Sequence, residues 1–209
     1  MDNKFACLTY PDDNMGRFQK TIKRGFDIFL SFISIIILLP FFIIICLILT
    51  LEGNGSALFA QERIGCGGKP FRLYKFRTLK KNMTEEGPQL IAKTDRTMSS
   101  AFQGFLRNHH IDELPQLWNI LKGDMSFVGP RPELQYFIDK IMQEDPNYQL
   151  LYQIQPGLTS EAALYNGYTD TMDKMLKRLK IDLQYLRNRS LKLDLQIMFN
   201  TILSMFSKN

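Results

Sequence analysis

The sequence predicts an α+β fold, mainly helical, with one small antiparallel hairpin and a re-entrant membrane helix-break-helix near the N-terminus. Three observations predict it. The run IFLSFISIIILLPFFIIICLILTL, from Ile28 to Leu51, carries no charge and has Pro40 at its middle. Two short segments, LFAQERI and PFRLYKF, flank a glycine-rich turn at Gly65 to Gly68, a hairpin signature. Later segments repeat large apolar residues at helical spacing: Leu114, Leu117, Trp118 and Leu121; Leu134, Phe137, Ile138 and Ile141; Met172, Met175, Leu176, Leu179, Leu183 and Leu186. The chain divides into a polar leader (1–19), an approach and membrane segment (20–51) and one further domain (52–209).

Residues 1 to 16 are polar, with Pro11 followed by Asp12, Asp13 and Asn14, and read as a loose leader. Lys20 to Asp27 reads as an interfacial approach, because Phe18, Ile22 and Phe26 fall one helical turn apart. The apolar run is long enough to cross about 30 Å of hydrocarbon as one helix. Pro40 removes a helical hydrogen bond and crowds the preceding turn. Each half is about 18 Å long or less at 1.5 Å per residue, too short to cross alone. Basic residues lie on both sides: Arg17, Lys20, Lys23 and Arg24 before, Arg63, Lys69, Arg72, Lys75 and Arg77 after. The positive-inside rule places each flank in the cytoplasm. Proline also occurs in spanning helices, so a bent hairpin and a plain span both stand at this point.

Within the hairpin, alternation puts Lys75 and Arg77 on one face of the second strand. Residues 80 to 100 are polar, contain Gly87-Pro88 and a Ser/Thr-rich stretch, and read as a mobile loop. The apolar stripes are expected to pack the core. The tail from Leu191 to Phe206 is expected to pack or to lie on a membrane.

With 209 residues there is room for one domain and an appendage. The net charge of +5 and pI near 9.1 favour anionic partners. Phosphates and acidic lipid fit better than nucleic acid, since no dense basic tract with interleaved aromatics occurs. Cys7, Cys46 and Cys66 lack zinc or redox spacing and read as unpaired thiols. Two histidines, His109 and His110, exclude a His-rich metal site and read as loop residues.

Candidate chemistry concentrates in FLRNHHIDELPQLWNILKGDMSFVGPRPEL, residues 105–134. Asp112 and Glu113 precede Pro115, which a helix tolerates only in its first turn. Free amides there favour negative charge, either a carboxylate or a bound phosphate. Adjacent helical side chains point apart, so one acid suits attack on phosphorus and the other a cation. Magnesium is the matching cation, as it takes a carboxylate together with phosphate oxygens. The competing reading makes Asp112 an N-cap and Glu113 a first-turn acid. Gly129-Pro130-Arg131-Pro132 presents a guanidinium on a stiff backbone, either for a phosphate or as a solvated connector. Arg107 lies within reach of the same place, or stays on the surface.

Together these stretches resemble the monotopic phosphoglycosyl transferases, bacterial sugar transferases that start capsule, O-antigen or glycoprotein glycan assembly. The resemblance runs from about Lys20 to the C-terminus, through KRGFD, the proline-interrupted run, QERIGCGGKPFRLYKFRTL, DELPQLWNILKGDMSFVGPRP, QPGLTS and IDLQYLRNRSLKLDLQIMFNTI. It implies a bacterial inner-membrane enzyme whose cytoplasmic catalytic domain (52–209) uses a UDP-sugar donor, a polyprenyl phosphate acceptor and Mg2+. It further implies Asp112 as nucleophile, Glu113 as magnesium ligand and Arg107 as a phosphate-holding catalytic residue. Pro130, Arg131, Pro132 and Asp182 would bind substrate, and Pro40 would make the membrane break. The alternative is a non-catalytic module docked on the bilayer within a glycan-assembly complex. The chain departs from the family pattern at Leu39, where a serine is usual, in the spacing before Arg107, and at Thr159-Ser160 and Gly167-Tyr168. The last two leave the sugar open.

Overall fold

Helix α1 runs from Arg17 to Leu51, 35 residues with Pro40 inside. This computed structural model describes residues 13–53, 55–79, 100–166 and 171–207. Most of the expected leader with Cys7, residues 80–99 of the loop expected over 80–100, and Gly167-Tyr168 lie outside them. α1 is long and apolar enough, by length and composition, to cross a membrane. The two halves flanking Pro40 form one element, so a break is not shown.

One side of α1 packs on the rest of the protein. Ile35, Leu38 and Phe42 meet Leu73, Leu117, Ile120 and Met125. Nearer the C-terminus, Ile45, Cys46 and Leu49 cluster with Phe76 and Leu106. The other side leaves Phe29, Phe32, Ile36, Ile37, Phe41, Ile43, Ile44 and Leu47 exposed.

The first turns of α1 correct the sequence reading in two places. The loose leader does not extend through residues 13–16: Met15 is buried, and Asp13 pairs with Lys20 at 2.6 Å and with Arg189 at 3.5 Å. Phe18, Ile22 and Phe26 do face outward, but Lys23 and Asp27 point the other way and are buried. Lys23 Nζ lies 2.5 Å from Asp194 and donates to the Val128 carbonyl at 3.1 Å, while Asp27 accepts from the Phe127 amide at 3.2 Å. Arg24 donates to the carbonyls of Ile120 and Leu121.

Strands β1 (Leu58–Ile64) and β2 (Pro70–Phe76) form the expected antiparallel hairpin, from Leu58 opposite Phe76 to Ile64 opposite Pro70. Gly67 and Gly68 both take positive φ in its turn, which a side chain would strain. Helix α2 (Ala101–Asn108) starts at Ser100, whose hydroxyl accepts from the Gln103 amide. A 3-10 turn over Ile111–Glu113 leads into α3 (Gln116–Lys122), which ends on Gly123 at φ 97. Strand β3 (Ser126–Val128) pairs in parallel with β4 (Gly157–Thr159). Between them lie α4 (Gln135–Glu144) and a 3-10 stretch over Pro146–Gln153. The chain continues through α5 (Glu161–Asn166), α6 (Met172–Asn188) and α7 (Leu191–Ser207).

The expected stripes of α4 and α6 do form core: Phe137, Ile138 and Ile141 pack with Met175 and Leu179. In α3 the stripe holds for Leu117, joined by Ile120, but Trp118 is 52% exposed. The helix begins at Gln116, and its buried face runs through Gln116, Leu117, Asn119 and Ile120, which leaves the indole outside it. The tail helix packs through Ile197, which is buried, while Leu195, Phe199, Ile202 and Leu203 stay exposed.

Candidate active site

Asp112 sits in the 3-10 turn between α2 and α3, directly after His110, whose φ of 56 reverses the chain. Left-handed backbone is uncommon for a residue with a side chain, and here it separates the acid pair from α2. Asp112 is only 7% exposed and has no hydrogen-bond partner among the described residues. It caps nothing: α3 has Pro115 at its N-cap position and no side-chain capping bond. The cap reading of this acid is therefore corrected.

Glu113 points differently and is held. Its Oε1 lies 2.8 Å from Lys75 Nζ and 3.3 Å from Arg131 Nη2. Lys75 comes from β2, 38 positions earlier in the chain. Asn119 places that strand. It is fully buried; its side-chain oxygen accepts from the Tyr74 amide, and its nitrogen donates to the Arg72 carbonyl and to Asp124. One buried amide thus fastens β2 to α3 on both sides of Leu73, two residues before Lys75. Sequence reasoning missed this role, although a polar residue in the middle of an apolar stripe was its signal.

Arg131 arrives from the opposite direction, on a loop built by the β3–β4 pair. Gly129 donates to Thr159, and Gly157 donates to the Pro130 carbonyl. The two glycines touch so closely that a Cβ on Gly157 would stand 2.1 Å from the Gly129 nitrogen. Pro130 and Pro132 are buried on either side of the exposed Arg131. Behind the loop, Arg63 donates to the Pro132 carbonyl at 3.3 Å and pairs with Glu133, which also binds Arg178. Asp182 belongs to this hidden layer. It is 3% exposed on α6, and its Oδ1 has no hydrogen-bond partner. The structure brings Asp112, Glu113, Lys75 and Arg131 together, with Arg107 close enough for its charge to act on Asp112, whereas the charges acting on Asp182 are those of Arg178, Glu133 and Glu161. Pro40 lies inside the membrane-type helix.

The surroundings drive the two acids apart. Burial, and next the charge of Glu113, raise the Asp112 carboxyl to about 6, against Lys75, Arg107 and Arg131. Burial alone would raise Glu113 too, but Lys75 and Arg131 outweigh it and hold that carboxyl well below the usual range. Burial lowers the Lys75 ammonium below the usual lysine value, with Glu113 opposing. At neutral pH both acids are ionised, Asp112 without a hydrogen-bond partner and Glu113 fixed by Lys75 and Arg131.

As donors, the pair offers hard carboxylate oxygens suited to magnesium. Among the described residues no group of three or more His, Cys, Asp or Glu gathers. A cation here would complete its shell with phosphate oxygens and water, as magnesium commonly does.

A carboxylate pair ringed by basic groups, beside a long apolar helix, defines a site for phosphate chemistry next to a membrane-type segment. A family profile described as bacterial sugar transferase matches residues 18–208, and the chain belongs to that family. It is 38% identical over 181 residues to the UDP-N-acetylgalactosamine-undecaprenyl-phosphate N-acetylgalactosaminephosphotransferase of Aeromonas hydrophila, covering 87% of this chain and 43% of that protein. It is 37% identical over 188 residues to the UDP-glucose:undecaprenyl-phosphate glucose-1-phosphate transferase of Caulobacter vibrioides, covering 88% and 70%. The exopolysaccharide production protein PSS of Rhizobium leguminosarum is 34% identical over 189 residues, covering 88% and 94%. The chain thus spans less than half the length of some relatives and nearly all of another.

Proposed function

We propose that this protein transfers a sugar-1-phosphate from a UDP-sugar to polyprenyl phosphate, giving polyprenyl-diphosphate-sugar and UMP, as the first membrane step of a bacterial glycan. The observation that carries the reading is Asp112: shielded, unpartnered and ionised at neutral pH among Lys75, Arg107 and Arg131. The relatives named above as undecaprenyl-phosphate sugar transferases support the substrate classes.

The reaction runs in two steps. An Asp112 oxygen bonds to the sugar-linked phosphorus as the bond to the bridging oxygen breaks, and that electron pair leaves on UMP. An oxygen of the acceptor phosphate then bonds to the same phosphorus, the Asp112–phosphorus bond breaks, and the carboxylate is restored. Arg131, on its proline-stiffened loop, grips the nucleotide phosphates, and Arg107 adds positive charge near the bond being made. Before substrate binds, Lys75 holds Glu113 in place. Glu113 would hold Mg2+, which when bound offsets the charge of the diphosphate.

α1 is read as re-entrant, with the domain on the cytoplasmic face of the inner membrane. Both ends of the helix dock on the same body: Lys23 and Arg24 on β3, α3 and α7, and Leu49 on Phe76 and Leu106. With both flanks held by one domain, a helix that dips into the bilayer and returns would use the bend that Pro40 makes available.

The test is UMP release from a panel of UDP-sugars in the presence of undecaprenyl phosphate. Release with at least one sugar, abolished in Asp112→Asn, supports the proposal. No release from any sugar favours a non-catalytic membrane module.

A further inference from the structure

Glu113 accepts from two cations at once, Lys75 at 2.8 Å and Arg131 at 3.3 Å, both on Oε1. Lys75 is not a surface residue that drifts away: its side chain is 18% exposed and stands on a strand fixed by Asn119. Lys75, Arg107 and Arg131 act on the two carboxylates, with Arg63 acting on Lys75 in turn, so the acid pair faces cations from several elements. A divalent cation arriving alone would displace or crowd two cations at its carboxylate. It would find no third side-chain donor, since no larger acid or histidine group exists among the described residues. A cation that arrives with a diphosphate brings both the compensating charge and the missing oxygens.

We propose that Lys75 acts as a built-in counter-cation of Glu113, so that the metal enters only together with the diphosphate of the donor. Once phosphate is present, the Lys75 ammonium turns from Glu113 to a phosphate oxygen, and the released carboxylate takes the metal. Lys75 is thereby a positioning residue that sets the order of binding. The inference rests on the transferase reading above for the identity of the diphosphate, though its metal-only arm does not.

The experiment measures Mn2+ binding by electron paramagnetic resonance to the full chain in detergent, without turnover. The probes are MnCl2 alone, MnCl2 with UDP, and MnCl2 with inorganic pyrophosphate. Wild type is expected to bind Mn2+ weakly alone and at least about tenfold more tightly with UDP, a difference of about 1.4 kcal/mol. Lys75→Met is expected to bind Mn2+ alone about tenfold more tightly than wild type and to lose most of the UDP enhancement. Arg131→Met, at an exposed position less exposed to misfolding, should also tighten binding of Mn2+ alone. Lys75→Arg should behave as wild type, and Glu113→Gln should abolish binding in every arm. Tight binding of Mn2+ alone by wild type would overturn the inference, as would unchanged affinity in both Lys75→Met and Arg131→Met. In either case UMP release by wild type would leave the transferase reading standing. Enhancement by pyrophosphate but not UDP, without UMP release from any sugar, would keep the counter-cation role and remove the nucleotide.

Discussion

Substituting Lys23 by Met tests whether the first turn of α1 is locked into the domain as the structure has it. The Lys23 and Asp194 side chains are 10% and 8% exposed, 2.5 Å apart, and Tyr185 donates to the other Asp194 oxygen at 2.6 Å. Met keeps the apolar stem and removes the charge, leaving Asp194 buried with a single hydroxyl for company. Breaking a buried pair from one side costs about 3–5 kcal/mol. For a chain of this size each kcal/mol moves Tm by about 2–4 °C, so the fall should lie at roughly 6–20 °C. The assay is thermal unfolding in detergent, followed by near-UV circular dichroism at pH 7. Adding Asp194→Asn should recover more than half of the loss, because it removes the orphan charge yet keeps an acceptor for Tyr185. A loss below about 1 kcal/mol, the worth of an exposed pair, would refute the reasoning and with it the docking of α1 against α7.

Further outcomes follow from the same geometry. The acid limb of kcat/KM should titrate near 6, where Asp112 gains its charge, and Arg107→Gln should move that limb upward because the guanidinium holds the value down; pH-rate profiles check both. Asp182, raised to about 7 by burial against the pull of Arg178, titrates above its unfolded value. Its contribution is therefore present in full below pH 4 and is lost as pH rises through 7. Asp182→Asn should flatten that decline in unfolding experiments between pH 4 and 8. Gly157→Ala should abolish activity or folding, since its Cβ would overlap the Gly129 nitrogen; expression and UMP release report it.

What could be read from the sequence was local. The hairpin announced itself through alternation and glycines at positions that need positive φ, and α4 and α6 through apolar stripes longer than two turns. The acid pair and the Pro-Arg-Pro loop stood out by residue type. What could not be read was set by distant partners. Lys75 meets Glu113 across 38 positions, Lys23 meets Asp194 across 171, and the β3–β4 pair is too short to show a period. Lys23 and Asp27 read as part of an interfacial approach because nothing local reveals a partner at the far end of the chain. Asp182 carries no local sign of its surroundings, and only packing shows it buried beside Arg178 and Glu133.

The central claim is that the Asp112 carboxylate becomes covalently bonded to the phosphosugar. Intact-protein mass spectrometry of the chain mixed with an accepted UDP-sugar, before any polyprenyl phosphate is added, measures this directly. A mass increase equal to one sugar phosphate, located on the Asp112 peptide, discharged by acceptor and missing from Asp112→Asn, is the predicted result. Full turnover with no adduct, or an adduct that survives in Asp112→Asn, would contradict it.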